Sequence, residues 1–271
     1  MRFQSSNAIP GPEMPGIQRP PITSAILQVS NQRSTEIGPA WYRVWYGTNR
    51  ALSHPTDPTR GFAHAIDPQG ATHYGQCWVA IPRSHQFGSL GTPSWKKWTG
   101  LQFEDDQLKL HTIRRLGDAN LFFTEARAEL AALGDNKRHV LVYLHGDNVS
   151  FEQAALRSAQ IGFDLQVPGL MVFFSWPSYE SESGYLSDTE RIALSENQIA
   201  NFLAGMARIT PSKYVHIMAH SIGNHDLTGA LRRIVAQASV RSDLQFGHMI
   251  VAAADSVEVS RAQKPSAGCG V

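Results

Sequence analysis

A serine between a strand-like run and a helix-like run is the feature of this sequence that most directly suggests chemistry. Ser221 lies in the segment AHSIG, residues 219–223, which follows the apolar run YVHIM. Apolar side chains then recur at spacings of three and four from Leu227 to Ala238, and they predict a helix. A sharp strand-to-helix turn that holds a serine is the context of a nucleophile elbow, which lifts the hydroxyl above the sheet. The segment departs from the G-x-S-x-G form because Ala219 replaces the first glycine.

The elbow interpretation gives roles to the neighbours of the serine. Ala219 and Gly223 are small where the strand and helix backbones nearly touch, and His220 belongs to the same turn. The backbone N–H of Ile222 points toward the reacting oxygen near the helix N-terminus. The alternative is that Ser221 only caps the following helix, because serine is a favoured N-cap residue.

Composition and charge argue against several classes of protein. The chain has 271 residues, 42% hydrophobic and 17% charged, with a net charge of +1, which is ordinary for a globular protein. This charge gives no electrostatic footprint for nucleic acid or an anionic membrane. We find no apolar run long enough to span a membrane and no signal-peptide pattern. Cys77 and Cys269 form neither a disulfide framework nor a zinc motif, so we expect a cytoplasmic protein without metal or cofactor.

The chain divides into an arm, a domain and a tail. Residues 1–39 are polar, with prolines at positions 10, 12, 15, 20, 21 and 39, and they predict a Pro-rich disordered arm. Residues 40–260 predict an α/β domain, and residues 261–271 an irregular tail. Early in the domain we expect strands at 41–50, 76–82 and 108–113, and a helix at 121–133.

The second half of the domain alternates strands with helices. Buried strands are predicted from His139, Leu170, Lys213 and His248. Capping-box patterns precede two of the helices, Ser150 with Gln153 and Ser187 with Glu190. This alternation predicts a mostly parallel sheet with right-handed crossovers and flanking helices.

Four short motifs occur in a fixed order, namely HGDN at 145–148, FSWPS at 174–178, AHSIGN at 219–224 and AAAD at 252–255. Together with the segments YRVWYGTNR and IPRSHQFGSLGTPSW, they resemble an uncharacterised bacterial esterase/lipase-like family of α/β-hydrolases. In that family the corresponding segments read HG(Y/F)N, FSWPS, AHSMGN and AAPD. The resemblance covers residues 41–259 and implies an α/β-hydrolase-type fold.

The resemblance also implies functional roles. Ser221 matches the nucleophile of a hydrolase that acts on an ester or related acyl bond. The turn after Gly146 matches the oxyanion loop, so the backbone N–H of Asp147 joins that of Ile222 in binding the oxyanion. His145 is expected to support this loop by hydrogen bonding. The sequence departs from the family at Asp147, where an aromatic residue is usual, and a carboxylate that pointed inward would oppose an oxyanion.

The weak point of this prediction is the general base. A serine hydroxyl needs one, and in these hydrolases the order is nucleophile, acid, histidine. Asp255, at the carboxyl end of the last strand, is the available acid or equally an ordinary loop residue. No histidine follows it, so we expect that this chain lacks the C-terminal strands of the fold. It would then be a truncated or frameshifted product, or a sequence whose boundary was chosen too short.

Other histidines are poorer candidates for the base. His220 and His225 are expected to point elsewhere or to lie on the surface, and His216 and His248 to be satisfied core residues. The sequence therefore predicts a serine hydrolase of small ester-type substrates that works through an acyl-enzyme and is inactive if the base is lacking. The alternative is a non-catalytic binding module or a truncated gene product. The oligomeric state is not predicted.

Overall fold

A computed structural model describes residues 39–91, 107–177, 185–210, 214–221, 223–236, 244 and 246–252. All of them belong to one compact unit. The predicted Pro-rich arm (except its last residue) and the predicted tail lie outside the described residues, as do Ile222 and Asp255.

The strands and helices that were predicted for this part of the chain occur in the predicted order, and two further short strands, at residues 50–52 and 62–66, were not predicted. The strands are β1 (Ala40–Thr48), β2 (Arg50–Leu52), β3 (Phe62–Ile66), β4 (His73–Ile81), β5 (Lys109–Leu116), β6 (His139–Leu144), β7 (Gly169–Ser175), β8 (Val215–His220) and β9 (Met249–Ala252). The α-helices are α1 (Ala119–Ala131), α2 (Phe151–Asp164), α3 (Tyr185–Ile209) and α4 (Gly223–Ala236).

Seven of the described strands form one sheet in the order β5-β4-β1-β7-β6-β8-β9. The strands from β1 to β9 in this order pair in parallel, whereas β4 pairs antiparallel with both β1 and β5. The mostly parallel α/β sheet with flanking helices is therefore confirmed. β2 and β3 form a separate antiparallel pair beside it.

Alternate residues of the central strands face two apolar cores, one on each side of the sheet. Val142 and Leu144 of β6 belong to the core that α1, α3 and α4 cover. Leu141 and Tyr143 of the same strand belong to the core that α2 covers. This near-continuous burial is typical of a parallel strand with helices on both faces.

Two local predictions are wrong. Helix α3 begins at Tyr185, two residues before Ser187, so the helix already includes the residue that was expected to cap it. Strand β9 is not buried, because Met249, Ile250 and Val251 are 43%, 42% and 56% exposed. The cause is its place in the sheet, since β9 is the outermost strand on that side among the described residues, and sequence hydrophobicity does not distinguish an edge strand from a central one.

Candidate active site

The candidate site lies where the carboxyl ends of β6 and β8 meet. These strands are parallel neighbours, and Leu144 is paired with Ala219 near their C-terminal ends. Helix α2, which follows β6, covers one face of the sheet, whereas α4, which follows β8, covers the other. The two strand-to-helix connections therefore run to opposite faces of the sheet and leave a crevice between them. In open α/β sheets, ligands bind at such topological switch points.

The turn between β8 and α4 holds Ser221 in an unusual conformation. Its φ is +52°, a left-handed value that costs a non-glycine residue about 1–2 kcal/mol. Its backbone N–H donates to the carbonyl oxygen of Ala252 at 2.9 Å, and its carbonyl oxygen accepts from the N–H of Asn224 at 3.0 Å. An N-cap residue has extended φ and ψ and directly precedes the helix, whereas Ser221 lies two residues before Gly223.

Two glycines allow the strand ends to approach each other at this turn. A Cβ on Gly223 would lie 2.4 Å from the carbonyl oxygen of His145, so only glycine fits there. A Cβ on Gly146 would lie 3.2 Å from both Ser221 Cβ and His220 Nδ1. The segment after β6 is thus packed directly against the serine turn, and Ala219 is fully buried at the end of β8.

The segment at residues 145–150, called the β6–α2 loop below, is ordered by its own residues. Asp147 is half-buried and Asn148 is exposed, and Asn148 has a φ of +53°, which asparagine tolerates better than most residues. The loop ends at Ser150, whose Oγ accepts from the N–H of Gln153 at 3.1 Å while the Gln153 side chain accepts from the N–H of Ser150 at 2.7 Å. The predicted capping box is therefore confirmed.

His145 is a buried neutral side chain that supports the β6–α2 loop. The backbone N–H of Trp176 donates to its Nε2 at 3.2 Å, so Nδ1 carries the proton and donates to the carbonyl oxygen of Gly146 at 2.6 Å. Its ring stacks on that of Trp176 at 3.7 Å. Burial, and then the nearby charge of Arg50, lower the pKa of His145 well below its usual range. With both nitrogens engaged, this histidine is not arranged to take a proton from Ser221.

The histidines nearest to Ser221 along the chain, His220 and His225, are exposed. Within the described residues, no histidine nitrogen is hydrogen-bonded to Ser221 Oγ. The structure therefore brings together the serine turn, the two glycines and the β6–α2 loop, and among the residues that it describes no histidine is hydrogen-bonded to the serine hydroxyl.

Three further histidines form a ladder at the opposite end of the sheet. The N–H of His248 donates to Nδ1 of His216 at 3.0 Å, which leaves the Nε2 proton of His216 to be donated to Nδ1 of His139 at 3.0 Å. Burial, and then the charges of His139 and His248, lower the pKa of His216. The expectation that His248 is a core residue is wrong, because it is exposed beside the edge strand β9.

Two histidine–aspartate pairs that the sequence did not reveal are too far from Ser221 to serve it. His73 Nε2 lies 2.9 Å from Asp67 Oδ2 at the start of β4, but β4 is four strands from β8, about 19 Å away. His85 Nε2 lies 2.6 Å from Asp164 Oδ1 at the last residue of α2, which is the opposite end of the sheet. Both pairs therefore fix loops.

Neither a metal centre nor a membrane-spanning helix is found in the described part of the chain. No group of three or more His, Cys, Asp or Glu side chains there could hold a metal ion. None of the described helices is long and apolar enough to cross a bilayer.

Comparison with known proteins agrees with this architecture. The family model for an alpha/beta hydrolase of unknown function (DUF900) matches residues 124–269, which is more than half of the chain. No curated protein and no solved structure gives a significant match. The matched range contains β6, β7, β8 and β9, hence both segments of the candidate site. The chain therefore belongs to this family of α/β-hydrolases.

Proposed function

We propose that the protein is a serine hydrolase that cleaves an ester or related acyl bond of a small molecule, with Ser221 as the nucleophile. The observation that supports this most is the left-handed backbone of Ser221, with φ +52°, between a parallel strand and a helix. Strained residues of this kind are concentrated at active sites. A strand-to-helix turn that holds the serine in this way is the geometry of a nucleophile elbow.

In the proposed reaction, Ser221 Oγ attacks the carbonyl carbon of the substrate while a base removes the hydroxyl proton. The negative charge then lies on the former carbonyl oxygen. We assign its stabilisation to the backbone N–H groups of Asp147 and Ile222, and the contact of Gly146 with the serine turn supports the first of them. When this tetrahedral intermediate collapses, the ester bond breaks and the alcohol leaves with a proton. Water then hydrolyses the acyl-enzyme.

The proposed reaction needs a general base, and we assign Asp255 the role of orienting it. The backbone N–H of Ser221 and the side-chain amide of Asn224 both donate to the carbonyl oxygen of Ala252, three residues before Asp255 in the sequence, and this supports the assignment. Loss of the histidine in a serine protease lowers kcat by about a million-fold, but about a thousandfold acceleration over water remains. Turnover alone is therefore a poor test of the proposed nucleophile.

The alternative is a binding module that keeps the fold without catalysis. It is favoured by one observation, namely that no described histidine is hydrogen-bonded to Ser221 Oγ. Such a protein would hold a ligand in the crevice between β6 and β8 and would show no reactivity of Ser221 above that of an ordinary serine.

A fluorophosphonate probe separates the two functions. The serine oxygen displaces fluoride from phosphorus, and a stable Oγ–P bond marks an activated serine. We expect the wild-type protein and Ser150→Ala to be labelled and Ser221→Ala to remain unlabelled, with circular dichroism confirming that all three are folded. Ser150 is the matched control because it also precedes a helix. A folded wild-type protein without labelling, or equal labelling of Ser221→Ala, would contradict the proposed function.

A further inference from the structure

A fully buried arginine connects three segments around the candidate site. Arg50 is the first residue of β2, and none of its surface is exposed. Its guanidinium donates to Ser175 Oγ at 2.8 Å, to the carbonyl oxygen of Ala63 at 3.3 Å and to that of Val149 at 2.7 Å. These acceptors belong to the end of β7, to β3 and to the β6–α2 loop. One side chain therefore joins the loop that contains Asp147 to two neighbouring strands.

The same arginine reaches the other end of the loop through Ser175. The hydroxyl of Ser175 accepts from Arg50 and lies 3.3 Å from His145 Nε2, so its own proton is available for that nitrogen. His145 in turn donates from Nδ1 to the carbonyl oxygen of Gly146. Thr48 Oγ1 fixes the backbone of Ser175 by donating to its carbonyl oxygen at 2.6 Å. Both ends of the β6–α2 loop are thus hydrogen-bonded to one buried network.

The chemistry of this position fits arginine and not lysine. A buried cation loses its hydration, so it must be compensated by hydrogen bonds. The planar guanidinium directs several N–H groups along fixed directions, whereas a lysine ammonium is a compact charge on a flexible stem. Here the Nε and Nη2 atoms of Arg50 face acceptors on different elements. A lysine at residue 50 would keep the charge but could not hold the same two acceptors at these angles.

We propose that Arg50 is a positioning residue, which holds the β6–α2 loop so that the backbone N–H of Asp147 stays directed at the oxyanion site beside Ser221. The inference rests on the proposed function for its effect on rate. Oxyanion donors act only when they are held in place before the reaction, within about 0.5 Å. Loosening the loop therefore lowers kcat, whereas KM, which depends on the rest of the crevice, changes little.

Amide hydrogen exchange tests the positioning without any need for turnover. We expect Arg50→Ala and Arg50→Lys to accelerate exchange in a peptide that covers residues 144–151, with exchange in helix α1 unchanged. Arg138→Ala is the matched control, because Arg138 also donates to backbone carbonyl oxygens, those of Leu133 and Ala131, but just before β6 and away from the crevice. If Arg50→Ala fails to fold, Arg50→Lys and Ser175→Ala provide the comparison. Equal exchange in the wild-type and variant loops would overturn the proposal.

Labelling and kinetics then test the consequence for the site. We expect the fluorophosphonate labelling rate, and kcat for an activated ester where turnover is measurable, to fall about 10- to 100-fold in Arg50→Lys. KM should change by less than about threefold. Faster loop exchange with an unchanged labelling rate would overturn the positioning role. Absence of labelling in the wild-type protein would instead contradict the proposed function, while the exchange data would still report on Arg50.

Discussion

The two strand-to-helix connections at the crevice both carry a serine, and they use it differently. Ser150 has φ −74° and ψ 166°, and it caps helix α2 with a complete capping box. Ser221 has φ +52° and lies two residues before helix α4. The first serine satisfies the helix end, because its hydroxyl accepts the N–H of Gln153. The second occupies a conformation that costs free energy.

This difference shows how backbone conformation separates a structural serine from a candidate nucleophile. A hydroxyl that is committed to the end of a helix stabilises the fold by about 1 kcal/mol. A hydroxyl at the top of a strained turn gives no such stabilisation, and the strain persists only where the surroundings hold it. Here the surroundings are the backbone of His145, which Gly223 approaches closely, and Gly146, which packs against the Cβ of Ser221.

We expect the largest effect from a substitution that forces the two connections apart. Gly223→Ala would place a Cβ 2.4 Å from the carbonyl oxygen of His145 and 3.1 Å from that of Leu144. Since both are backbone atoms, α4 must move away from β6, and we expect the free energy of unfolding to fall by about 3 kcal/mol. Urea denaturation measures the change, and labelling of Ser221 should be lost with it.

Gly117→Ala is the control for that substitution, because a Cβ at this glycine would meet nothing within 4 Å. We expect its free energy of unfolding to stay within about 0.5 kcal/mol of the wild-type value. A Gly223→Ala protein as stable as this control would show that the two connections are not packed as described.

We expect an effect of intermediate size from a change of pH, which should alter the free energy of unfolding through His145 in the β6–α2 loop. The pKa of His145 is well below its usual range in the folded protein because of burial and of Arg50, whereas in the unfolded chain it is about 6.5. Below that pH the unfolded state binds a proton that the folded state does not. The free energy of unfolding should therefore fall with decreasing pH, by up to about 1.4 kcal/mol per pH unit, until the folded pKa is reached.

Denaturation between pH 5 and pH 8 measures this slope. His145→Gln should flatten this slope relative to the wild-type protein. His216, whose pKa is also lowered by burial and by its two histidine neighbours, adds a slope of the same sign in both proteins. A slope that is equal in wild type and His145→Gln would contradict the assignment of a neutral buried His145.

We expect the smallest effects from replacing each of the two serines by glycine, which compares them directly. Ser221→Gly should raise the free energy of unfolding by about 1 kcal/mol, because glycine accepts a positive φ without strain. Ser150→Gly should lower it by a few tenths of a kcal/mol, because glycine is only a slightly poorer N-cap. Thermal and urea denaturation measure both changes. A loss of stability in both variants would show that Ser221 is not strained.

Much of the fold could be predicted from the sequence because its signals are local. The apolar run from His139 to Leu144 gave the bounds of β6, and Ser150 with Gln153 gave the start of α2. Ser187 misled because a capping pattern is short and common, and here the helix already begins at Tyr185. The antiparallel pairing of β4 and the exposure of β9 depend on strand order, which local periodicity does not encode.

The candidate site was predictable only in part for a similar reason. The residues of the AHSIG segment indicated a tight turn, but they did not indicate the φ of Ser221 or the close approach of Gly223 to the backbone of His145. The role of Arg50 was missed, because an arginine in a sequence is most often a surface residue. Its burial arises from acceptors that lie 99 and 125 residues away along the chain.

Mapping the covalent adduct tests the central claim most directly. The wild-type protein would be treated with a fluorophosphonate and digested, and the modified serine located by tandem mass spectrometry. We predict that the adduct lies on Ser221 and that Ser150 is unmodified. Of these two serines, only Ser221 has a positive φ, in the turn between β8 and α4. An adduct on another serine, or none in a folded protein, would contradict the assignment of Ser221 as the nucleophile.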